Sequence, residues 1–194
     1  MRQTDWSGGS NQQTYIDVTQ YFQDDNNIEI NNPAGSIELS QFGGFYQPSG
    51  WLESSTIDMG PSTTYQNIIV EPFTQPASTS LKFQLATSNS SSPASWVYLG
   101  PDGTGATYYT STNTLIHDIH DNQQYLRYKT FLSTLDTDSS TPQLQELLIT
   151  YTNGCIPPGQ AFFSGLNSGF YNLQIVRSGY DTLIDPSTEI NGNT

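Results

Sequence analysis

At 194 residues and 21.4 kDa the chain is long enough for one sandwich-sized unit with a small appendage and too short for two full-sized domains. Asp and Glu total 18 against 5 Lys and Arg, a formal net charge of -13. Arg2, Lys82, Arg127, Lys129 and Arg177 form no basic stripe, so neither a nucleic-acid backbone nor an anionic lipid surface suits this chain as a partner. A single cysteine, Cys155, excludes an internal disulfide framework, a thiolate-rich metal centre and a CxxC redox pair.

The apolar residues fall in short alternating runs separated by Gly, Pro, Asn and Ser clusters, and no window carries a helical stripe. The pattern predicts an all-β chain, an antiparallel β-sandwich over 1–153, with under about one tenth helix. No apolar run approaches the roughly 20 residues of a membrane span, so no membrane insertion of this segment is expected. Met1–Ser10 is polar, and this leaves the compartment open. Residues 1–35, rich in Gln, Asn and Asp with scattered aromatics, read as a partly ordered lead-in with a strand near Tyr15–Val18.

Strands follow at Ser36–Ser40, Trp51–Ile57, Asn67–Glu71 and Leu81–Leu85, the last being clearest because Leu81, Phe83 and Leu85 share one face. Thr87–Ser95, nearly all Ser, Asn and Pro, reads as a solvated loop. Gly100-Pro101-Asp102-Gly103 has turn chemistry that predicts a hairpin of Trp96–Leu99 with Ala106–Tyr109. Thr107–Thr110, Tyr125–Leu132 and Leu147–Thr152 complete the set. At Asn153-Gly154-Cys155-Ile156-Pro157-Pro158-Gly159 two prolines and flanking glycines stop the last strand and make a stiff link. Cys155 there reads as a small, partly buried hydrophobe. Three more short strands, Gln160–Leu166, Gly169–Val176 and Asp181–Ile190, fall in a tail of 154–194 that is below the usual size for independent folding. In its middle strand only Tyr171, Leu173 and Ile175 form a wholly apolar phase, so they should point inward, with Asn172 and Gln174 outward.

Catalytic material is sparse. His117 and His120 sit in one short segment, where an extended chain sends them to opposite faces and only a turn would bring them, with Asp118 or Asp121, around Zn²⁺ or Cu²⁺. There is no Gly-x-Ser-x-Gly elbow, Cys155 has no neighbouring cation, and the glutamates form no short-spaced pair for glycoside hydrolysis. The reading is therefore a non-enzyme that requires no cofactor. Asp136-Thr137-Asp138-Ser139 opens like an oxygen-ligand loop but lacks the EF-hand glycine, and its twelfth position falls on Leu147. Sugar binding needs aromatic planes flanked by hydrogen-bonding side chains, and Trp51, Trp96, Tyr98, Tyr108 and Tyr109 with Arg127 or Gln124 are the candidates.

Residues 45–153 resemble a β-sandwich module of bacterial surface and secreted proteins. The resemblance lies in Ser49–Gly60 ending in Asp-x-Gly, Leu81–Thr87, the Arg-Tyr strand Tyr125–Lys129, and Thr141-Pro142-Gln143-Leu144 before the last strand. It implies kinship with galactose-binding-type jelly rolls, hence a non-catalytic sandwich and a structural Ca²⁺ built from loop carboxylates, for which Asp118, Asp121, Asp136 and Asp138 are the candidates. Phe162–Leu166, Gly169–Ile175 and Gly179-Tyr180 resemble the second half of a carboxypeptidase-regulatory-like, transthyretin-type β domain, so 154–194 is expected to be a partial unit of that kind. Together the resemblances imply an extracellular or cell-surface module, adhesive or scaffolding, from a pilin-like or envelope protein. Its partners would be a glycan or other protein modules. The alternatives are a carbohydrate-binding module of a glycan-active protein and a phage tail or decoration domain.

Overall fold

The computed structural model describes residues 1–110, 113–153, 167–175 and 183–190. In chain order the strands are β1 (Arg2–Gln3), β2 (Gln23–Asp24), β3 (Ile28–Asn31), β4 (Ala34–Leu39), β5 (Gln41–Phe42), β6 (Phe45–Tyr46), β7 (Ser49–Glu53) and β8 (Ile57–Asp58). They continue with β9 (Thr63–Glu71), β10 (Thr79–Ser88), β11 (Thr114–Leu115), β12 (Tyr125–Thr134), β13 (Glu146–Asn153), β14 (Gly169–Ile175) and β15 (Leu183–Ile190). A 3-10 turn, Asp118–His120, lies between β11 and β12. Among the described residues strands hold 50% and helical turn 2%, an all-β fold, as the alternating pattern predicts.

Two compact units divide the chain, Met1–Gly154 and Cys155–Thr194. In the first, an antiparallel sheet β1-β13-β9-β11 faces a second sheet β10-β12-β7-β2, with β8 also paired to β12. The period of two turns Leu81, Phe83 and Leu85 of β10, Leu126, Tyr128 and Leu132 of β12 and Leu52 of β7 inward. They meet Ile68 and Val70 of β9 and Leu147 and Ile149 of β13 in one core, each large apolar side chain contributing roughly 1.5–3 kcal/mol by its burial. Alternation in β9 is interrupted between Tyr65 and Ile68, where two residues face Thr150 alone. The Thr150 hydroxyl closes that bulge by accepting from the Asn67 amide N–H at 2.9 Å.

Three expectations need correction. Residues 1–35, expected as a partly ordered lead-in, are tied to the sandwich: β1 pairs with β13, Trp6 is fully buried, and its indole Nε1 donates to the Tyr128 hydroxyl at 2.8 Å. Tyr128 in turn donates to Gln3 at 2.6 Å, and the Gln3 amide donates to the carbonyls of Val18 and Gln20, so polar bonds tie the segment down where its apolar content is low. No strand forms at Tyr15–Val18. The Trp96–Leu99 and Ala106–Tyr109 arms are not paired with each other. Each makes a single bridge to β10, Leu85 to Leu99 and Phe83 to Tyr109, because the unpaired edge of that ten-residue strand recruits both. Trp51–Ile57 is two strands, interrupted by the buried Ser54, Ser55 and Thr56.

In the second unit β14 and β15 form an antiparallel hairpin in which Tyr171 and Leu173 are half-buried while Asn172 and Gln174 are exposed, the predicted phase. The Ile175 side chain, Cys155 with its proline link, the Gln160–Leu166 strand and Gly179-Tyr180 lie outside the described residues.

Candidate functional site

The outward face of the β10-β12-β7-β2 sheet carries a row of long side chains set by strand register. On β12 the outward phase is Arg127, Lys129 and Phe131; across the ladders Lys129 lies opposite Glu53 and Gln84, and Phe131 opposite Trp51 and Lys82. The Trp96–Leu99 and Thr107–Tyr109 segments, bridged to the edge of β10, bring Trp96, Tyr98 and Tyr108 to the same face.

At one end a cleft of about 360 Å³ is lined by Gln13, Phe22, Glu53, Trp96, Tyr98 and Arg127. The Arg127 guanidinium is at its floor. Nη1 meets Glu53 Oε1 at 2.7 Å, Nε donates to Thr56 Oγ1 at 2.9 Å and Nη2 to Gln13 Oε1 at 3.1 Å. Its Cζ lies 4.2 Å from the Phe22 ring and 5.1 Å from the Trp96 ring, so the cation is held between two aromatic planes. Arg127 and Glu53 expose only 4% and 8% of their side chains, which makes this a desolvated pair. Gln23 donates to the other Glu53 oxygen at 2.9 Å. Burial alone would raise the Glu53 carboxyl, but the surrounding donors and the Arg127 charge hold it below its usual value. The Tyr98 hydroxyl is buried against Glu53 without meeting hydrogen-bond geometry, and burial together with that carboxylate pushes its phenol far above the usual range.

Beside the cleft a groove of about 270 Å³ is lined by Trp51, Lys82, Tyr108, Phe131 and Asp25. Lys129 Nζ sits 3.6 Å from the Trp51 ring and 5.9 Å from that of Tyr98, joining groove to cleft, while Lys82 Nζ lies 5.6 Å from Tyr108. Tyr108 and Phe131 pack edge to face with centroids 5.3 Å apart. Desolvation lowers the Lys129 ammonium, against the pull of Glu53 and Asp25. Three of the chain's 5 cationic side chains thus share one face with six aromatic rings.

Of the candidates nominated from sequence, Trp96, Tyr98 and Arg127 meet in the cleft, and Trp51 and Tyr108 in the groove. Tyr109 is a core residue at 1% exposure. Gln124 lines neither; its amide donates to both carboxylate oxygens of Asp58, at 3.0 and 3.2 Å. Sequence reasoning missed Phe22, Gln13, Lys129, Lys82 and Phe131. Lys129 and Phe131 had a signal, since they continue the outward phase of Arg127.

The four aspartates proposed for Ca²⁺ fall in two separate segments, at the 3-10 turn and in the loop after β12. Asp121 accepts from the Tyr65 amide at 2.9 Å, Asp136 accepts from the Ser139 hydroxyl at 2.7 Å, Asp118 lies 3.0 Å from His117, and Asp138 is exposed. The His117–His120 segment does turn, yet His120 is buried with Nδ1 2.9 Å from the Thr87 hydroxyl, while His117 Nδ1 accepts from the Ile119 amide. Among the described residues no three His, Cys, Asp or Glu side chains gather as a metal cluster. No helix among them is long and apolar enough to cross a membrane. No family model, curated protein or solved structure matches the chain.

Proposed function

We propose that the chain is a non-enzymatic attachment module that binds glycan on the outward face of the β10-β12-β7-β2 sheet. The observation that carries this reading is the convergence of Trp96, Tyr98, Trp51, Tyr108 and Arg127 on one open face with two adjoining clefts. Pyranose rings present apolar C–H faces to aromatic planes and equatorial hydroxyls to planar amide, guanidinium and carboxylate groups, and Gln13, Arg127 and Glu53, which line the cleft, supply the latter. Glu53 is committed to Arg127 and Gln23 and has no second carboxyl opposite it in the cleft, which supports binding without hydrolysis. The resemblance of 45–153 to bacterial surface and secreted sandwiches supports an extracellular or cell-surface setting. A glycan array tests the proposal. The wild-type chain should retain defined glycans unchanged, and Trp96→Ala or Trp51→Ala should weaken the hit by about 30-fold, the cost of losing one central aromatic anchor. Failure to retain any glycan, or turnover of one that Glu53→Gln abolishes, would overturn it.

The scaffolding reading rests on a separate observation. Among the described residues the β14–β15 hairpin pairs with no third strand, and it exposes Phe170 at 73% and Ile184 at 60%, apolar surface that a protein neighbour would cover. Concentration-dependent assembly lost on Phe170→Ser would favour that reading.

A further inference from the structure

Lys82 and Lys129 are charges without counter-charges. The chain has 18 acidic side chains to 5 basic ones, so a cation that pairs with none of them is unusual here. Arg2 and Arg127 each hold a glutamate at 2.7 Å. Among the described residues, however, no carboxylate comes within ion-pair distance of Lys82 or Lys129. Both are half-buried and lie against aromatic rings instead: Lys129 Nζ is 3.6 Å from Trp51 and 5.6 Å from Phe131, and Lys82 Nζ is 5.6 Å from Tyr108. Register holds the two together. Lys82 pairs with Phe131, and Lys129 is the neighbouring outward residue of β12, so the lysines are diagonal neighbours on one face. The two acids whose charges reach Lys129, Glu53 and Asp25, are engaged elsewhere. Glu53 accepts from Arg127 and Gln23, and Asp25 Oδ1 accepts from the backbone amides of Asn27 at 3.1 Å and Trp51 at 3.2 Å.

Partial burial of an ammonium group beside no carboxylate costs free energy, and an anion arriving from outside would offset that cost. The groove of about 270 Å³ lined by Lys82, Trp51, Tyr108 and Phe131 is open to such a ligand. With a net charge of -13 the molecule at large repels anions, so this aromatic face is a local exception that gives an acidic ligand one place to settle. We propose, resting on the glycan reading above, that the groove selects acidic glycans, with Lys82 and Lys129 binding the carboxylate or sulfate of a sugar seated against its aromatic rings. A uronic acid or a sulfated sugar joins an apolar ring face to a charge at the ring's rim, and aromatic planes flanked by ammonium groups match both parts. An acidic peptide carries the charge without that rigid ring face.

Calorimetric titration of the full chain with two matched pairs of polymers tests this: polygalacturonate against its carboxyl-reduced form, and carrageenan against its desulfated form. The pairs also separate carboxylate from sulfate. At least one acidic polymer should bind about tenfold tighter than its neutral form, and that advantage should shrink as NaCl is raised. Lys82→Met and Lys129→Met should each weaken the acidic polymer about fivefold and leave the neutral one unchanged, while Lys82→Arg, which keeps the charge, should retain the preference. Should Lys129→Met fail to fold, Lys82→Met and the salt dependence carry the test. Acidic and neutral forms bound equally, with both lysine variants silent, overturn the inference and leave the glycan reading standing. An acidic preference that survives the double variant, Lys82→Met with Lys129→Met, also overturns it. So does polyglutamate bound as tightly as the acidic polysaccharides, which would make the ligand an acidic peptide. Binding of none of the four polymers removes the acidic preference, and the glycan array then decides separately whether the broader reading falls with it.

Discussion

Arg127 and Glu53 set the character of the sheet face because neither can be removed alone without stranding the other in a desolvated place. Glu53→Gln or Arg127→Met should each cost about 3–5 kcal/mol in urea unfolding, and the double substitution should recover most of that loss. Equal, additive losses would mean the pair is solvated and unimportant. The same scale carries a pH prediction. His120 is buried beside Tyr65, its Nε2 has no partner among the described residues, and burial, aided by His117, lowers its pKa from 6.5 to about 4. The unfolded chain therefore takes up this proton first. The stability from keeping His120 neutral is complete above about 6.5 and is lost as pH falls to about 4, some 3 kcal/mol in all. Glu53, held below its usual value, adds a loss of the same sign at still lower pH. Unfolding free energies between pH 7 and pH 4 should show the upper step in the wild type and lack it in His120→Asn.

At the level of elements, the sharpest test lies in the Trp96–Tyr109 excursion. Gly100 follows Leu99, its amide N–H donates to the Thr104 carbonyl at 2.8 Å, and a β-carbon there would drive into the Thr107 carbonyl and hydroxyl. Gly100→Ala should therefore push the two β10-bridged segments apart and separate Trp96 and Tyr98 from Tyr108. The expected result is glycan affinity reduced about tenfold, with a local cost of about 1–3 kcal/mol, read by calorimetry and urea unfolding. Unchanged affinity would show that these segments do not build the site. The sequence made the turn itself legible, because Gly100-Pro101-Asp102-Gly103 has distinctive chemistry, and Gly103 does adopt a φ of +76°. Which strand the arms would join was not legible, since alternation reports faces and not partners. The long strands β10, β12 and β13 were legible for the complementary reason that their inward phases carry apolar runs: Leu81, Phe83 and Leu85; Leu126, Tyr128 and Leu132; Leu147 and Ile149. The bulge opposite Thr150 was hidden: it depends on which residue of β13 meets β9, a matter of pairing across 83 positions.

For the molecule as a whole, composition disclosed the class of fold but not how its amino-terminal part is held. Partial order was all the polar stretch 1–35 suggested, yet Trp6 and Tyr21 enter the core and Gln3 links Tyr128 to the Val18 and Gln20 carbonyls, a network no local pattern announces. The candidate site was half legible: the aromatic nominations converge, whereas Phe22 and Gln13 arrive from that same amino-terminal segment. This arrangement makes a prediction about what the first unit requires. All of the described core lies between Trp6 and Ile149, and both clefts are lined from within that span. A chain ending at Gly154 should therefore unfold in one cooperative step, with its urea midpoint and glycan affinity unchanged from those of the full chain. Trp6→Ala in the full chain should instead lose about 3–5 kcal/mol, the cost of emptying a large buried site, together with the Tyr128 bond. A truncated chain that melts broadly or loses its glycan, beside a Trp6→Ala variant that is nearly unaffected, would place the stabilising contacts beyond Gly154 and reverse the assignment of the core.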